Sequence, residues 1–184
     1  MTELRAMSAF SFLQGASLPE DLARQAARLG YESLALADRN GVYGIPRFCK
    51  AAKDAGVRPL VGARIDLDEG ICGPGLKGPT NLLLLCRSGT GWKNLCEMLS
   101  RAHREHPKGQ ASVSLDDLAT YREGLVALAG GMDGPVLTTA RARGKKAGAG
   151  IAGQLVGIFG PHNLFFDLQR QGIPVARCTV ERIM

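Results

Sequence analysis

Residues 33–67, SLALADRNGVYGIPRFCKAAKDAGVRPLVGARIDL, determine the predicted fold. The run Ser33–Ala37 is apolar on both faces, which is typical of a buried parallel strand. A turn follows, the spacing predicts a helix over residues 45–55, and Val57–Leu67 has the pattern of a second strand. The order strand, helix, strand predicts a right-handed βαβ unit.

The same alternation of strands and helices continues on both sides of this unit. The further predicted strands are residues 81–86, 125–129 and 164–168, and the further predicted helices are residues 18–29, 92–104, 115–121 and 151–159. Such alternation is typical of α/β proteins, in which helices cover a parallel sheet or barrel. We expect a single domain over residues 1–184, since no linker is long enough to divide the chain.

Two stretches have the spacing of a capping box, in which a serine and an acidic side chain three residues later satisfy free amides at a helix N-terminus. They are Ser17–Glu20 and Ser114–Asp117. Between the predicted elements, residues 68–79 are rich in glycine and proline, and residues 104–112 are polar. We expect both of these segments to be mobile surface loops.

The composition is that of a globular, basic protein with free thiols. Of the 184 residues, 45% are hydrophobic, which is enough to bury a substantial core. The formal net charge of +6 favours nucleic acid or another acidic partner, although ordinary basic proteins share it. The five cysteines include no C-x-x-C pair, so we expect free thiols in a reducing compartment. No signal sequence or membrane-length apolar run is present, which predicts a cytoplasmic location and no membrane partner.

Asp38 is the strongest single candidate for chemistry. It ends the buried strand, where α/β enzymes place metal ligands and general bases. A short acidic side chain also caps turns, and the sequence leaves both roles open. His103 and His106 could share a helix face, but no further ligands converge near them, so a solvated helix terminus is favoured. Gly130–Gly131 is interpreted as a simple turn rather than a phosphate-binding loop.

A dense basic run is the main candidate for nucleic-acid contact. It contains Arg141, Arg143, Lys145 and Lys146, and the βαβ unit adds Arg39 and Arg64. Guanidinium and ammonium groups bind a phosphate backbone with an affinity that falls as salt rises. Solvated helix faces have the same composition, so charge alone leaves the choice open.

Six stretches of the chain form an ordered set, residues 3–17, 35–41, 51–62, 81–85, 91–95 and 123–128. Together they resemble the PHP (polymerase and histidinol phosphatase) domain of bacterial C-family DNA polymerases. The form Phe-Ser-Phe-Leu-x-Gly-Ala-Ser in the first stretch is most similar to the error-prone branch of that family. The resemblance implies a distorted seven-stranded β/α barrel, similar to a TIM barrel, with a metal cluster at the C-terminal rim of its strands. Active members bind up to three divalent metals and hydrolyse phosphoesters, in the polymerases as a proofreading-type exonuclease.

Carried over from the family, the metal-ligand positions fall on Glu3, Met7, Asp38, Arg39, Arg64, Asn81 and Glu181. The Met7 thioether and the guanidinium groups of Arg39 and Arg64 cannot replace carboxylate or imidazole ligands. The positive charge of the two guanidinium groups also repels a divalent cation. The resemblance therefore implies a rim that has lost its metals, and we expect no cofactor. If the degenerate site still binds Zn²⁺, Mn²⁺ or Mg²⁺, Asp38 is the first candidate ligand and Glu3 the second.

The chain departs from the family at its C-terminal end. Family members place a helix between the strands that correspond to residues 164–169 and 174–178, whereas only residues 170–173 lie between them here. We therefore expect a barrel that is incomplete at the C-terminus. The chain is expected to be either a shortened stand-alone PHP-like unit or an N-terminal fragment of a longer polymerase.

The sequence leads to one functional hypothesis and two alternatives. The hypothesis is an inactive N-terminal PHP-like domain of an error-prone DNA polymerase, a scaffold in DNA replication and repair whose partners are the polymerase core or other polymerase subunits. The first alternative is a degenerate but active metal-dependent phosphoesterase, a 3′–5′ exonuclease that uses Asp38, Glu3 and Glu181. The second is a basic module that holds DNA or an acidic partner.

Overall fold

The described part of the chain contains seven strands and seven helices. The computed structural model describes residues 2–73, 80–169 and 178–182, without the side chains of residues 167–169 and 178–182. The strands are β1 (Thr2–Ala6), β2 (Ser33–Arg39), β3 (Arg58–Asp66), β4 (Asn81–Cys86), β5 (Leu125–Leu128), β6 (Leu164–Gln169) and β7 (Cys178–Arg182). The helices are α1 (Pro19–Arg28), α2 (Ile45–Asp54), α3 (Glu69–Cys72), α4 (Gly89–Glu105), α5 (Leu115–Tyr121), α6 (Pro135–Arg143) and α7 (Lys145–Phe159). No helix within these ranges is both long enough and apolar enough to cross a membrane.

The strands form one seven-stranded sheet in chain order, from β1 to β7. Strands β1, β2 and β3 are parallel, β4 is antiparallel to both β3 and β5, β6 is parallel to β5, and β7 is antiparallel to β6. The predicted α/β class and seven strands are confirmed, but the prediction of a purely parallel sheet is wrong at β4 and β7. In the described part of the connection from β3 to β4, which leaves out residues 74–79, the one helix is the four-residue α3, which is much shorter than the crossover helices that usually join parallel strands.

Two apolar layers cover opposite faces of the sheet. On the outer face, Leu34 and Leu36 of β2 pack with Phe48 of α2. The inner-face cluster consists of Leu4, Ala37, Leu83, Leu85, Val126, Leu128 and Phe165. Because this cluster joins β1 to β5 across three intervening strands, the sheet is curled around it. Since β1 and β7 are not hydrogen-bonded neighbours in the described part of this sheet, the observed fold is an incomplete barrel, as expected from the departure of the chain from the family at its C-terminal end.

Glycine ends the first two long helices where the sequence predicts it. Gly30 and Gly56 follow α1 and α2 with φ of 72° and 74°, the left-handed region that favours glycine. One predicted helix start is wrong, because α7 begins at Lys145 rather than at residue 151, and α6 is a helix that the sequence does not predict. The α6 sequence, PVLTTARAR, has no apolar stripe at helical spacing, so periodicity does not reveal this helix.

The two segments predicted as mobile loops are partly ordered. Residues 69–72 form α3. The Val113 amide donates to the Asp66 carbonyl at 2.9 Å, and the Asp68 amide donates to the Val113 carbonyl at 3.1 Å, which forms a parallel bridge just beyond the C-terminal end of β3. Residues 74–79 lie outside the described residues, as do the predicted short link at 170–173 and most of the predicted strand at 174–178.

Of the two predicted capping boxes, one is present and one is not. The Asp117 amide donates to Ser114 Oγ at 3.1 Å, and the Ser114 amide donates to Asp117 Oδ2 at 3.3 Å. At α1 the N-cap is Leu18 rather than Ser17, without a side-chain cap. Glu20 instead accepts a hydrogen bond from Arg47 of α2 at 2.5 Å, so the carboxylate joins two helices rather than capping one.

The cysteines whose side chains the structure describes are free, as predicted. Cys49, Cys72, Cys86 and Cys96 form no disulfide, whereas the side chain of Cys178 lies outside the described residues. Burial raises the pKa of Cys86 to about 12. A thiol with so high a pKa stays protonated at neutral pH, so Cys86 is not a nucleophile.

Replacing Ser114 with alanine removes the side-chain acceptor of the α5 capping box. We expect Ser114→Ala to lower the free energy of unfolding by about 1 kcal/mol, the usual value of an N-cap side chain. Ser100→Ala is the matched control, because this exposed serine only donates to the Cys96 carbonyl within α4. Urea unfolding of both variants measures the difference, and equal losses would contradict the capping role.

Candidate functional site

The C-terminal edge of β2 and β3 brings several predicted site residues together. In the strand register Arg39 pairs with Arg64, and Asp66 pairs with Asn81 at the start of the antiparallel β4. Arg64 lies opposite Leu83, a member of the inner-face cluster. Because side chains alternate along strands, Arg39, Arg64, Asp66 and Asn81 share the inner face at the mouth of the barrel.

Asp38 lies on the opposite face of β2 and is 1% exposed. Its Oδ1 accepts hydrogen bonds from the Ser8 amide at 2.7 Å and from Ser11 Oγ at 2.6 Å, and its Oδ2 accepts one from Ser8 Oγ at 2.7 Å. Three donors offset the cost of burying this carboxylate. The sequence left a metal-ligand role and a turn-capping role open, whereas the structure shows an anchor for the loop that precedes α1.

This β1–α1 loop, residues 7–18, has a fixed conformation. The Ala9 amide donates to the Ser17 carbonyl at 2.8 Å, and the Gln14 amide donates to the Ser11 carbonyl at 2.9 Å. A Cβ atom on Gly15 would lie 2.0 Å from the Ser8 carbonyl oxygen, so only glycine fits there. Leu13 has φ of 61°, a left-handed conformation that is costly for a residue with a large side chain.

Arg39 and Asp66 form a bidentate ion pair at the barrel mouth. Arg39 Nε and Nη2 donate to Asp66 Oδ2 at 2.9 and 2.6 Å, and these hydrogen bonds raise the pKa of Arg39. Asn40 Nδ2 also donates to Asp66 Oδ2 at 3.0 Å, and Asn40 Oδ1 accepts from the Asp66 amide at 2.8 Å. Any DNA phosphate that binds Arg39 must therefore compete with an internal carboxylate.

Asn40 extends this network to α4 and to the segment after it. His103 Nε2 lies 2.7 Å from the Asn40 carbonyl oxygen, and Asn40 Nδ2 donates to the Ala111 carbonyl at 2.9 Å. His106 is engaged separately, with Nδ1 2.9 Å from the Ala102 carbonyl oxygen and Nε2 3.2 Å from Ser112 Oγ. The two histidines thus have different partners and do not form a shared site: His103 links α4 to the end of β2, and His106 acts within local structure.

Arg5 spans the barrel mouth, a role that the sequence did not predict. Its Nη2 donates to the Gly130 carbonyl at 2.9 Å, which joins the end of β1 to the turn after β5. The predicted turn at Gly130–Gly131 is present, with φ of 92° at Gly131. Glu3 is also engaged, because its Oε1 accepts a hydrogen bond from the Arg5 amide at 2.7 Å.

Sequence reasoning also missed Ser8, Ser11 and Asp66. Asp66 carries the same signal as Asp38, a carboxylate at the C-terminal end of a predicted strand, and it could have been found in that way. The serines carry no such signal, because their partner is 27 or 30 positions away along the chain. Glu181 pairs with Phe166 through the β7 backbone, and its side chain lies outside the described residues.

The basic run lies at the junction of α6 and α7, and its four side chains are on exposed residues. Arg141 Nη2 lies 3.4 Å from Met132 Sδ, and Arg143 Nη1 donates to the Cys72 carbonyl at 3.5 Å. Its role in DNA contact stays a prediction. Arg64, by contrast, is half-buried at the barrel mouth.

Three of the predicted ligand positions, Met7, Asp38 and Arg39, do not fit a divalent metal. Both Asp38 oxygens already accept hydrogen bonds, and Arg39 places a guanidinium group at the barrel mouth. Met7 offers a thioether, which hard cations bind poorly. Within residues 2–73, 80–169 and 178–182, no group of three or more His, Cys, Asp or Glu residues is placed to hold an ion.

Asp38→Ala removes the acceptor of three donors in the β1–α1 loop. We expect the free energy of unfolding to fall by about 3 kcal/mol, because buried donors are left without a partner. Asp54→Ala, at an exposed position in α2, is the control and should change stability by no more than about 0.5 kcal/mol. If thermal or urea unfolding shows similar effects for the two variants, Asp38 does not anchor the loop.

Leu13 has φ of 61°, and Leu13→Asn puts asparagine there, a residue type that tolerates the left-handed region. Relief of backbone strain is expected to raise the free energy of unfolding by about 0.5–1 kcal/mol. Leu29→Asn is the matched control, since this leucine is also exposed but has φ of −86°. Equal changes in the urea midpoints of both variants would show that the backbone at Leu13 is unstrained.

Comparison with known proteins shows which family this chain resembles. The model of the PHP domain matches residues 3–171. An error-prone DNA polymerase of Mycolicibacterium paratuberculosis is 38% identical over 177 residues, which are 94% of this chain and 16% of that protein. An error-prone DNA polymerase of Anaeromyxobacter sp. strain K is 37% identical over 160 residues, which are 82% of this chain and 14% of that protein.

Among solved structures, an amidohydrolase from Chromobacterium violaceum aligns with 66% of this chain and 36% of its own, with 19% identity and a TM-score of 0.45. The chain covers 16% of the Mycolicibacterium polymerase, so it spans about one sixth of the length of that relative. The PHP match, in contrast, extends over almost all of the described residues. The chain therefore belongs to the PHP domain family.

Proposed function

We propose that this chain is a PHP-like domain of the error-prone DNA polymerase type, inactive as a phosphoesterase, that serves as a scaffold for a polymerase core in DNA replication and repair. One observation carries the proposal: both carboxylate oxygens of Asp38 are bound by Ser8 and Ser11 on the helix-facing side of β2. The carboxylate most suited to a metal is thereby used to hold a loop. The relatives named error-prone DNA polymerases support the choice of partner.

The remaining rim residues support an architectural role. Arg39 and Asp66 link β2 to β3, Asn40 and His103 extend the link to α4, and Arg5 reaches the turn after β5. A divalent metal would supply activated water for phosphoester hydrolysis. The side chains at the ligand positions do not suit such an ion, and their ion pair and hydrogen bonds instead tie the strand ends together.

Metal content tests the inactive-site part of the proposal. We expect elemental mass spectrometry of the purified chain to give the same substoichiometric Zn, Mn and Fe as for Asp38→Asn, with no Mn²⁺-stimulated release of nucleotides from single-stranded DNA. Near-stoichiometric metal that is lost in Asp38→Asn, together with nucleotide release, would instead establish the phosphoesterase alternative. Asp54→Asn controls for an unspecific effect of removing a carboxylate.

A chimeric polymerase tests the scaffold part. In the Mycolicibacterium paratuberculosis polymerase, the region that matches this chain is replaced by residues 1–184, and a second protein lacks the region. We expect the chimera to have the higher melting temperature and the higher primer-extension activity. If the two proteins are equally stable and equally active, the scaffold role is wrong.

DNA contact through Arg39, Arg64 and the run Arg141–Lys146 stays a separate prediction. Binding that depends on these charges should weaken steeply as salt rises. A flat salt dependence of single-stranded DNA binding, measured by fluorescence anisotropy, would count against it.

A further inference from the structure

The β1–α1 loop presents two adjacent apolar side chains to solvent. Phe12 is 83% exposed and Leu13 is 91% exposed. Their side chains therefore contribute almost nothing to the apolar core. We call this pair the Phe12–Leu13 knob.

The knob is costly to the isolated chain. Leu13 adopts φ of 61°, which a leucine rarely does, and it gains no burial in return. Strained residues persist where the surrounding structure holds them, and they concentrate at functional positions. Here the hydrogen bonds to Asp38, the Ala9–Ser17 bond and the tight fit at Gly15 hold the loop. The strain at Leu13 is therefore maintained in a preorganised loop.

Other apolar side chains of the same loop and of the loop after β2 are also exposed. Phe10 and Leu18 of the β1–α1 loop are exposed, and Tyr43 in the loop after β2 is 65% exposed. The two loops touch, since the Phe10 ring lies 3.2 Å from the position of a Cβ on Gly44. Clustered exposed apolar side chains of this kind mark interaction surfaces.

The chemistry of the loop favours a protein partner over nucleic acid. Residues 8–18, SAFSFLQGASL, contain no charged side chain, and Arg47, which lies over the Phe10 ring, is already paired with Glu20, so this surface offers little to neutralise a phosphate backbone. Aromatic side chains with few charges are instead typical of the centres of protein interfaces. A rigid loop loses little conformational entropy on binding, which favours insertion into a preformed pocket.

We propose that the Phe12–Leu13 knob inserts into an apolar pocket of the polymerase core, an inference that rests on the proposed function. The relatives named error-prone DNA polymerases supply the argument for this occupant, because the segment matching this chain makes up 16% and 14% of their length. In those proteins most of the polymerase lies outside the matching segment and is available to cover the rim.

Hydroxyl-radical footprinting tests the proposal, because it reports the exposure of individual side chains. The two samples are the isolated chain and the full-length chimera described above. We expect oxidation of Phe12 and Leu13 to fall severalfold in the chimera, while oxidation of Leu29, at the end of α1, stays unchanged. Equal oxidation of the knob in both samples would overturn the proposal, even in a chimera whose stability and primer extension support the scaffold role.

The double variant Phe12→Ser/Leu13→Asn provides the second readout. In the isolated chain it should melt no lower than the unmodified protein, which shows that the fold is intact. In the chimera it should lower the melting temperature of the polymerase and speed its cleavage by protease, whereas Leu29→Asn should change neither. Equal effects of the two substitutions in the chimera would contradict a specific docking role.

Two further outcomes identify a different occupant and overturn the proposal. Protection of the knob in the isolated chain upon addition of single-stranded DNA, but not in the chimera, would assign the surface to nucleic acid. Protection that rises with concentration of the isolated chain, with a doubled mass in light scattering, would assign it to a second copy. A chimera no better than the polymerase lacking the region would refute the proposed function itself.

Discussion

The hydrogen bonds to the buried carboxylate of Asp38 are the constraint on which the rim of this PHP domain depends. A carboxylate with 1% exposure is tolerated only because Ser8 and Ser11 donate to both of its oxygens. The same bonds fix the loop between β1 and α1, so the conformation of that loop follows from where β2 ends. The Arg39 amide also donates to Ser11 Oγ at 3.0 Å, which ties the end of β2 to this loop a second time.

A second polar network holds the inner side of the rim. The Arg39–Asp66 pair is partly buried, and Asn40 hydrogen-bonds both the side chain and the amide of Asp66. Breaking one member of such a network leaves the others without partners, so its members depend on one another. In a barrel without full closure, these links and the Arg5–Gly130 hydrogen bond add polar contacts at the strand ends to the apolar packing of the inner-face cluster.

The hydrogen bonds between Asp38 and the β1–α1 loop bear both on the structure of the rim and on the exposure of Phe12 and Leu13. Asp38 holds the β1–α1 loop in the conformation in which Phe12 and Leu13 are exposed to solvent. A loop without this anchor could relax the left-handed backbone at Leu13 and bury part of its apolar surface.

The sequence by itself determined the α/β class, the βαβ unit, the glycine ends of α1 and α2 and the Ser114 capping box, because these depend on local periodicity and on short-range hydrogen bonds. It also indicated that Met7 and Arg39 are poor metal ligands, since that depends only on the chemistry of the side chains. It did not reveal α6, whose sequence lacks a helical stripe, or the antiparallel β4. The role of Asp38 was decided only by the tertiary structure. Its partners lie 27 and 30 residues away, and whether it faced the barrel mouth or the helices depended on the register of β2 within the curled sheet.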